Sequence, residues 1–578
     1  MHDPDQIQAV MRYHERSKHQ FNRYARGPTQ LDWANQPNPF RRYAGAHLVQ
    51  LPILGAEETP LSPRYAHLYR RAAVPNEPLT LRSLSRLFEY ALAISAWKQA
   101  GATRWALRCN PSSGNLHPTE AYLLIGPLAG LADTPGVYHY AVREHGLERR
   151  LDFPAELFAQ LTRGLAAQAF LIGLSSLHWR EAWKYGERAF RYCQHDVGHA
   201  IGSLRIAAAA LGWRAWLLQG LADETIEDLL GLKRDEDFAL AEREHPDLVL
   251  AVLPTDRDED GRCMRLLAPD VDRCAARELA RQRWTGRANR LSQDDPVPWA
   301  AIDEVELASR KPASKPPRFE VTDASVGEPE VGAGAEAATA RQIILQRRSL
   351  LACDGRTSIS AGRFFQMLAR VMPRVELPAL QRPIPWDALP WDPALHLGLF
   401  VHRVAGLDPG LYMLVRDPAK AETLKRAMHA HFAWSVPPGC PAELPLHLLE
   451  VGDARRLATQ VSCFQDIAGD GAFSLGMIAQ YQETLFTHGP WSYRRLFWEA
   501  GLIGQVLYLE AEAAGVRATG IGCFFDDPVH QIFGLEGLAF QSLYHFTVGG
   551  AVDDARLTQL EPYGPRVAVQ EEGGIDLP

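Results

Sequence analysis

The sequence predicts a tandem of two α+β domains facing each other as an intramolecular pseudo-dimer, and three observations carry that prediction. The first is a repeat without a gap. Adding 303 to each residue number carries 188–232, RAFRYCQHDVGHAIGSLRIAAAALGWRAWLLQGLADETIEDLLGL, onto 491–535, WSYRRLFWEAGLIGQVLYLEAEAAGVRATGIGCFFDDPVHQIFGL. In this register Arg191 meets Arg494, Asp196 meets Glu499, Gly198 meets Gly501 and Gly212 meets Gly515. The second is a pair of shorter matches upstream: PGVYHY at 135–140 with PGLYML at 409–414, and LYRRAAVPNEPLTLRSLSRLFEYAL from Leu68 with LQRRSLLACDGRTSISAGRFFQMLA from Leu345. The third is residues 311–338, rich in Pro, Ala, Gly and charge with no apolar period, which read as a linker. The expected plan is a first domain over 1–310 with an N-terminal extension, the linker, a second domain over 339–566, and a flexible acidic tail over 567–578. Fusing two copies satisfies the interface a homodimer would make, and leaves the two sites at that interface free to diverge.

In chain order, YHERSKH at 13–19 reads as an amphipathic helix with two exposed histidines. RCNPSSGNLHPTEAYLLIGP at 108–127 reads as a polar loop feeding a buried strand. Such a loop offers hydroxyls and backbone N–H groups at a strand mouth, as a phosphate cradle, a cofactor lip or a plain turn. Each repeat copy then reads as a long helix with small residues on its packing face, a strand (RAWLLQG or RATGIGC), a turn and a short helix. HDVGH at 195–199 imitates a zinc HExxH motif, but it carries Asp for Glu and a Gly inside the helix. Its repeat mates are Trp498 and Leu502, so we expect no metal, His199 as a packing histidine and Asp196 as a structural carboxylate.

Composition narrows the function classes. A length of 578 residues exceeds one hydrophobic core, and 46% hydrophobic with 22% charged residues is ordinary for a globular protein. A net charge of −8 with no dense Lys/Arg block argues against a nucleic-acid partner. The eight cysteines, at 109, 193, 263, 274, 353, 440, 463 and 523, form no CxxC pair, which argues against a zinc cluster or a disulfide scaffold and for a reducing cytoplasm. The N-terminus lacks an apolar signal core, and no run of ~18 apolar residues is long enough to span a membrane.

Three motifs together carry a resemblance: Arg-Arg-Ser at 347–349, Pro-Ser-Ser-x-Asn at 111–115 before a strand, and the Gly-containing strand ATGIGC followed by Phe and Asp. They resemble the flavin-dependent nitroreductase superfamily. Within it, YHERSKH, NPSSGNLHPTEAYLL, PGVYHY and KYGERAFRYCQHDVGHAIGSL are similar to the SagB-type dehydrogenases, the thiazole/oxazole-forming oxidases, over most of both halves. The resemblance implies a nitroreductase-like α+β sandwich, a mixed sheet flanked by helices, forming an intimate dimer with FMN in clefts at the interface. It implies that one half grips the phosphate with Arg347, Arg348 and Ser349 and lays the ring on Ile521, Gly522 and Cys523, while the other contributes the lip Pro111, Ser112, Ser113 and Asn115. The chemistry agrees, because a phosphate dianion wants guanidinium and hydroxyl donors and a flavin ring wants an apolar slot with a backbone donor near N5. Arg556, beyond the last strand, is a weaker phosphate candidate.

The two possible sites are unequal. The first half has Arg70, Arg71 and then Ala72 where the second has Ser349, and a bulkier AWLLQGL where the second has ATGIGCF. The second half in turn has PWDALPWD at 385–392 where the first has PSSGNLHP. One composite site keeps every part, so one FMN per chain is expected, with the mirror site degenerate.

Lys184 and Tyr185 match a Lys-Tyr pair associated with catalysis in the azoline-oxidising relatives; the second half has Thr487 and His488 instead. Oxidising an azoline requires a proton to leave carbon as hydride departs, and a desolvated Lys, or a Tyr acidified by it, could take that proton. Against this stands the plain reading in which Lys184 pairs with a surface carboxylate and Tyr185 merely packs. The expectation is an FMN-dependent oxidoreductase that dehydrogenates a peptide-derived or small heterocyclic, azoline-like substrate, with dioxygen as reoxidant, in contact with a cyclodehydratase-type modification complex. The alternatives are an NAD(P)H-dependent nitro or quinone reductase, and a non-catalytic flavin- or substrate-binding partner in such a complex. Loss of activity in a Lys184 variant that keeps its FMN favours the enzymes.

Overall fold

The computed structural model describes residues 3–53, 62–70, 72–166, 168–255, 270–315 and 338–564. Most of the expected linker, the tail 567–578 and Arg71 lie outside the described residues.

The repeat is visible in the element boundaries. Helices His178–Tyr185, Ala189–Ala210 and Asp223–Leu230 recur 303 residues later as Tyr481–His488, Ser492–Ala513 and Asp526–Phe533. Both short helices end on a left-handed glycine, Gly231 at φ 71° and Gly534 at φ 76°, a conformation that favours a residue without Cβ. The larger sheet of the first half runs in the order His47–Gln50, Gly146–Asp152, Gly136–Ala141, Thr119–Ile125, Phe170–Ser176, His245–Leu253, Arg214–Leu217. The second half repeats that order without the outermost strand: Leu446–Val451, Gly410–Leu414, Leu395–Val401, Phe473–Gln480, Phe540–Gly549, Arg517–Ile521. The neighbours within both sheets are antiparallel, and parallel pairing reaches the second sheet as the bridge of Ser349 to Ala518 on its edge strand.

The long helices Ala189–Ala210 and Ser492–Ala513 are buried over almost their whole length, polar side chains included, as helices held between two halves must be. Repeat mates touch along the pair. The rings of Phe190 and Tyr493 stack with centroids 6.4 Å apart, a Cβ on Gly198 would lie 2.8 Å from Cα of Gly501, and one on Gly202 would lie 2.9 Å from Cβ of Gln505. Mates meeting at successive levels place the helices parallel, with the pseudo-two-fold axis running between them.

Charge follows the same symmetry. Arg191 donates to Asp526 across the interface at 2.7 Å, and its mate Arg494 donates to Asp223 at 2.6 Å. Each aspartate opens the short helix of the half opposite its arginine, where an acidic side chain also suits the helix dipole.

Two exchanges lock the halves further. The C-terminal strand Thr558–Leu560 of the second half joins the first-half hairpin of Ile94–Ala100 and Thr103–Arg108. The N-terminal helix Pro4–Arg16 packs on the second half, where His14 hydrogen-bonds Tyr493 at 3.2 Å and Gln541 at 2.9 Å. The expectation of two exposed histidines in an amphipathic helix over 13–19 is therefore corrected: the helix ends at Arg16, His14 is buried against Tyr493 and Gln541, and His19 beyond it is buried where its N–H meets Asp526, both covered by the other half.

Candidate functional site

The loop before Thr119–Ile125 is tied down from within. The N–H and Oγ of Ser113 both donate to Asp196, at 3.1 and 3.3 Å, and Ser112 Oγ accepts the N–H of His117 at 2.7 Å. Asn115 donates to the Ala106 carbonyl at 2.9 Å and meets His117 Nε2 at 3.0 Å, while Pro111 is buried at the loop's entrance. Asp196 thus does for its half what its mate Glu499 does for the other, where Glu499 accepts the N–H of Ala394 at 2.9 Å at the start of Leu395–Val401. The difference is charge: Glu499 also pairs with Arg416, whereas Asp196 has only neutral donors.

Burial accordingly pushes the Asp196 carboxyl up to about 7, with Ser112 and Ser113 opposing it. A carboxyl whose folded value lies above its unfolded one holds its proton more tightly in the fold. The stability this adds is complete below about pH 4 and is lost as pH rises to about 7. We expect Asp196→Asn to flatten that fall, by up to ~3 kcal/mol for the roughly two pH units between pH 5 and the folded value at 1.36 kcal/mol per unit, in urea unfolding compared at pH 5 and pH 8.

Lys184 and Tyr185 close helix His178–Tyr185 and stand directly against this loop. A Cβ on Gly114 (φ 59°) would lie 2.5 Å from Tyr185 Oη and 3.2 Å from Lys184 Nζ, so only glycine fits there. The idea of an acidified tyrosine is corrected. Burial, reinforced by Glu181, raises the Tyr185 phenol well above its ordinary value, so at neutral pH it is a proton donor rather than a base. Sequence reasoning missed Glu181 itself, one turn before Lys184. It is wholly buried, neither carboxylate oxygen has a partner among the described residues, and burial followed by the nearby Asp196 charge pushes it well up. Its signal was an acidic residue three positions before a lysine in a helix that otherwise reads as packed.

The second half supplies the rest. Arg347, at the end of helix Ala340–Gln346, crosses to the first half and donates to the carbonyls of Arg108 at 2.9 Å and Cys109 at 3.3 Å, the two residues ahead of the loop. Its Nη1 is buried with no acceptor among the described residues. Arg348 is spent on protein acceptors: Gln559 at 3.1 Å, the Leu345 carbonyl at 2.8 Å and Ser95. Ser349 is exposed and meets Tyr508 Oη at 3.2 Å, and Tyr508 also accepts the N–H of Gly520 at 2.9 Å. Ile521 ends the edge strand with its side chain in the core, Gly522 presents its carbonyl to Arg188 at 3.2 Å, and the Cys523 carbonyl accepts from Gln465 at 3.0 Å. Tyrosine rings join the pieces: Tyr192 covers Gly522 and lies 4.6 Å from Tyr185, and Tyr544 covers Gly520. Contacts thus link Lys184 and Tyr185 to the first-half loop and to Gly522 through Tyr192, and Arg347 to the residues ahead of that loop. Arg556 is exposed and paired with Asp554 at 2.7 Å.

His195 stacks on Tyr544 at 4.1 Å and His199 meets its hydroxyl at 3.2 Å, which makes both of them packing histidines. At the mirror position the loop is plugged. Trp386 is buried and donates to the Arg370 carbonyl at 2.9 Å, and Asp387 takes both arms of Arg205 at 2.8 Å. A cavity of about 360 Å³ lined by His402, Arg403, Pro409 and Arg455 lies at the opposite edge of the second sheet, away from these residues.

The nitroreductase family model matches residues 71–241 and 412–550, one segment in each half. The chain belongs to the nitroreductase family. A nitroreductase crystal structure from Anabaena variabilis ATCC 29413 superposes with a TM-score of 0.67 over 94% of this chain and 99% of that one, at 22% identity, and so shares the two-half fold. The chain is 27% identical over 164 residues to MJ1384 of Methanocaldococcus jannaschii, a protein bearing the nitroreductase name, covering 27% of this chain and 77% of that protein. It is 31% identical over 195 residues to the trifolitoxin-processing protein TfxB of Rhizobium leguminosarum bv. trifolii, covering 30% of this chain and 50% of that protein. The nitroreductase family is one of oxidoreductases, typically flavin-binding, and the likeness to TfxB agrees with the SagB-type branch that the motifs resemble. Among the described residues no helix is long and apolar enough to cross a membrane.

Proposed function

We propose that this chain is an FMN-dependent oxidoreductase with one composite site between its halves, dehydrogenating a peptide-derived, azoline-like substrate. The observation that supports it most is convergence: Lys184 and Tyr185 abut Gly114 of the first-half loop, and Arg347 of the second half reaches the carbonyls just ahead of that loop. The mirror arrangement has Trp386 and Asp387 in its place.

The residues fit the cofactor at its phosphate end, where the unmatched, buried Nη1 of Arg347 is a donor awaiting an acidic oxygen. Ser349 and Arg347 both meet Tyr508, and the edge strand ending at Ile521, with Gly522 and Cys523 after it, would flank the ring. FMN would supply a two-electron acceptor there. The chain's own groups handle the proton. Lys184 is the candidate base that the resemblance implies, the neutral Tyr185 phenol donates a hydrogen bond that orients the substrate, and the buried Glu181 one turn away, held toward its protonated form, is a neighbouring acid. Tyr192, Tyr508 and Tyr544 give the region apolar, water-excluding walls. The trifolitoxin-processing role in TfxB's name supports a peptide-derived substrate and a modification complex as partner.

The test is flavin stoichiometry of the purified chain after incubation with FMN. About one FMN per chain is expected, lost in Arg347→Ala and weakened in Ser113→Ala although these lie in different halves. Lys184→Ala should keep the flavin and lose at least ~100-fold in turnover, the scale of a general base. A chain that takes up no FMN overturns the proposal and favours a non-catalytic binding partner. Flavin reduction by NAD(P)H with no azoline oxidation favours the reductase instead.

A further inference from the structure

A second reactive cluster lies where the end of the second-half edge strand meets the turn after helix Arg455–Val461. Two contacts hold these segments side by side. Phe525 donates its N–H to the Val461 carbonyl at 2.8 Å, and the Gln465 amide spans the carbonyls of Ser462 at 2.9 Å and Cys523 at 3.0 Å. Between these ties Cys463 and Cys523 come close enough for each thiol to act on the other's proton affinity. The turn is bent for this purpose. Cys463 (φ 53°) and Phe464 (φ 58°) are consecutive non-glycine residues in the left-handed region, which bulky side chains rarely occupy and which marks a backbone held by its surroundings.

The neighbours of Cys523 suit a thiolate. His19 Nδ1 accepts the N–H of Ala25 at 2.8 Å, so in the neutral ring the proton sits on Nε2, and the ring lies near the Cys523 thiol. The Cys463 thiol first, and the His19 ring next, draw Cys523 below its ordinary value against burial, while Cys463 is pushed up. Arg188 adds positive charge, and Asp526, Tyr24, Tyr192 and Tyr185 are further titratable groups nearby. Both cysteines are partly exposed, under a rim of Phe21, Tyr24 and Phe464, each more than half exposed. This is the low-lying, accessible thiolate with an adjacent partner that thiol–disulfide chemistry requires.

We propose that Cys523 and Cys463 are a redox dithiol that exchanges with small disulfides, Cys523 attacking and Cys463 resolving. The Cys523 thiolate attacks one sulfur of the disulfide, forming a mixed disulfide and releasing one thiolate. Cys463, deprotonated, then attacks the Cys523 sulfur, forming the internal disulfide and expelling the second thiolate. The chain loses two electrons and two protons, and the small disulfide becomes two thiols. The bond formed lies in the segment proposed to flank the flavin ring, one residue from Gly522, whose carbonyl accepts from Arg188 and which Tyr192 covers, so the exchange is measured on the chain both with and without added FMN.

The experiment treats the full chain with glutathione disulfide and maps its cysteines by alkylation and peptide mass spectrometry. The expected product has lost two hydrogens and two alkylatable thiols, with the Cys463 and Cys523 peptides linked. Cys463→Ser should stop at one glutathione adduct on Cys523, and Cys523→Ser should leave Cys463 unmodified. The unmodified chain provides a readout that needs no variant: iodoacetamide should label Cys523 at neutral pH about tenfold faster than the exposed Cys274. Equal labelling rates, or no linked peptide at any glutathione disulfide concentration, overturn the proposal.

Discussion

Replacing Asp526 by alanine is expected to lower the unfolding free energy by about 3–5 kcal/mol, the cost of breaking a buried ion pair by removing one partner. The carboxylate is wholly buried. It accepts from Arg191 at 2.7 Å, from Arg188 at 3.0 Å and from the N–H of His19 at 2.9 Å. Burial alone would raise its pKa, but Arg188 and Arg191 overcome that and hold it well below the usual carboxylate range. Without it, two buried guanidiniums lose their counter-charge and the chain after helix Pro4–Arg16 loses its anchor on the second half. Because the folded value is depressed, the stability this group supplies is present above about pH 4 and lost as pH falls through the folded value. The measurement is the urea midpoint at constant slope, at pH 7 and again below pH 3, where the advantage of wild type over alanine should narrow, with Asp526→Asn, which keeps one acceptor oxygen, falling between the two at pH 7. A loss under about 1 kcal/mol at pH 7 would show that the network contributes only what a surface pair does.

Gly501→Ala is expected to destabilise the chain by about 3 kcal/mol, the upper part of the usual range for overpacking a filled core. The sign is what makes this informative. Gly501 sits inside helix Ser492–Ala513, where helix propensity favours alanine over glycine by roughly 1 kcal/mol, so a reading of the helix alone predicts a gain. Across the pseudo-two-fold axis, however, the added Cβ would lie 2.8 Å from both Gly198 Cα and His199 N, and closer still to the His195 carbonyl. These are backbone atoms of a buried helix that cannot move alone. The helices must part, and the site assembled between the halves parts with them. Gly515→Ala is the comparison: nothing lies within 4 Å of its added Cβ, and the cost is only that of its positive φ of 74°. A Gly501→Ala chain as stable as wild type would mean that the two halves do not meet there.

The offset of 303, read from letters alone, turned out to relate helix boundaries residue for residue and to match the order of strands in both sheets. Local rules suffice for that, because small residues on a helix face, capping glycines and strand-forming runs act within one copy of the repeat. The approach of Lys184 and Tyr185 to the loop was foreseeable only through family resemblance, and the buried, unpaired Glu181 was not foreseen. The exposed histidines of 13–19 failed for the same reason that Asp196 was read no further than as structural. Periodicity reports which face of an element is apolar, not what the other half lays over its polar face.

By itself, then, the sequence determined a duplicated α+β architecture and the register in which its two copies align. Only the tertiary structure decided that Arg347 spends two of its nitrogens on the first half and keeps a third, that three tyrosines line the site, and that Cys463 meets Cys523. Each of these is a contact between residues far apart in the chain. Its energy comes from desolvation and geometry set by both partners at once, and no stretch of sequence holds both.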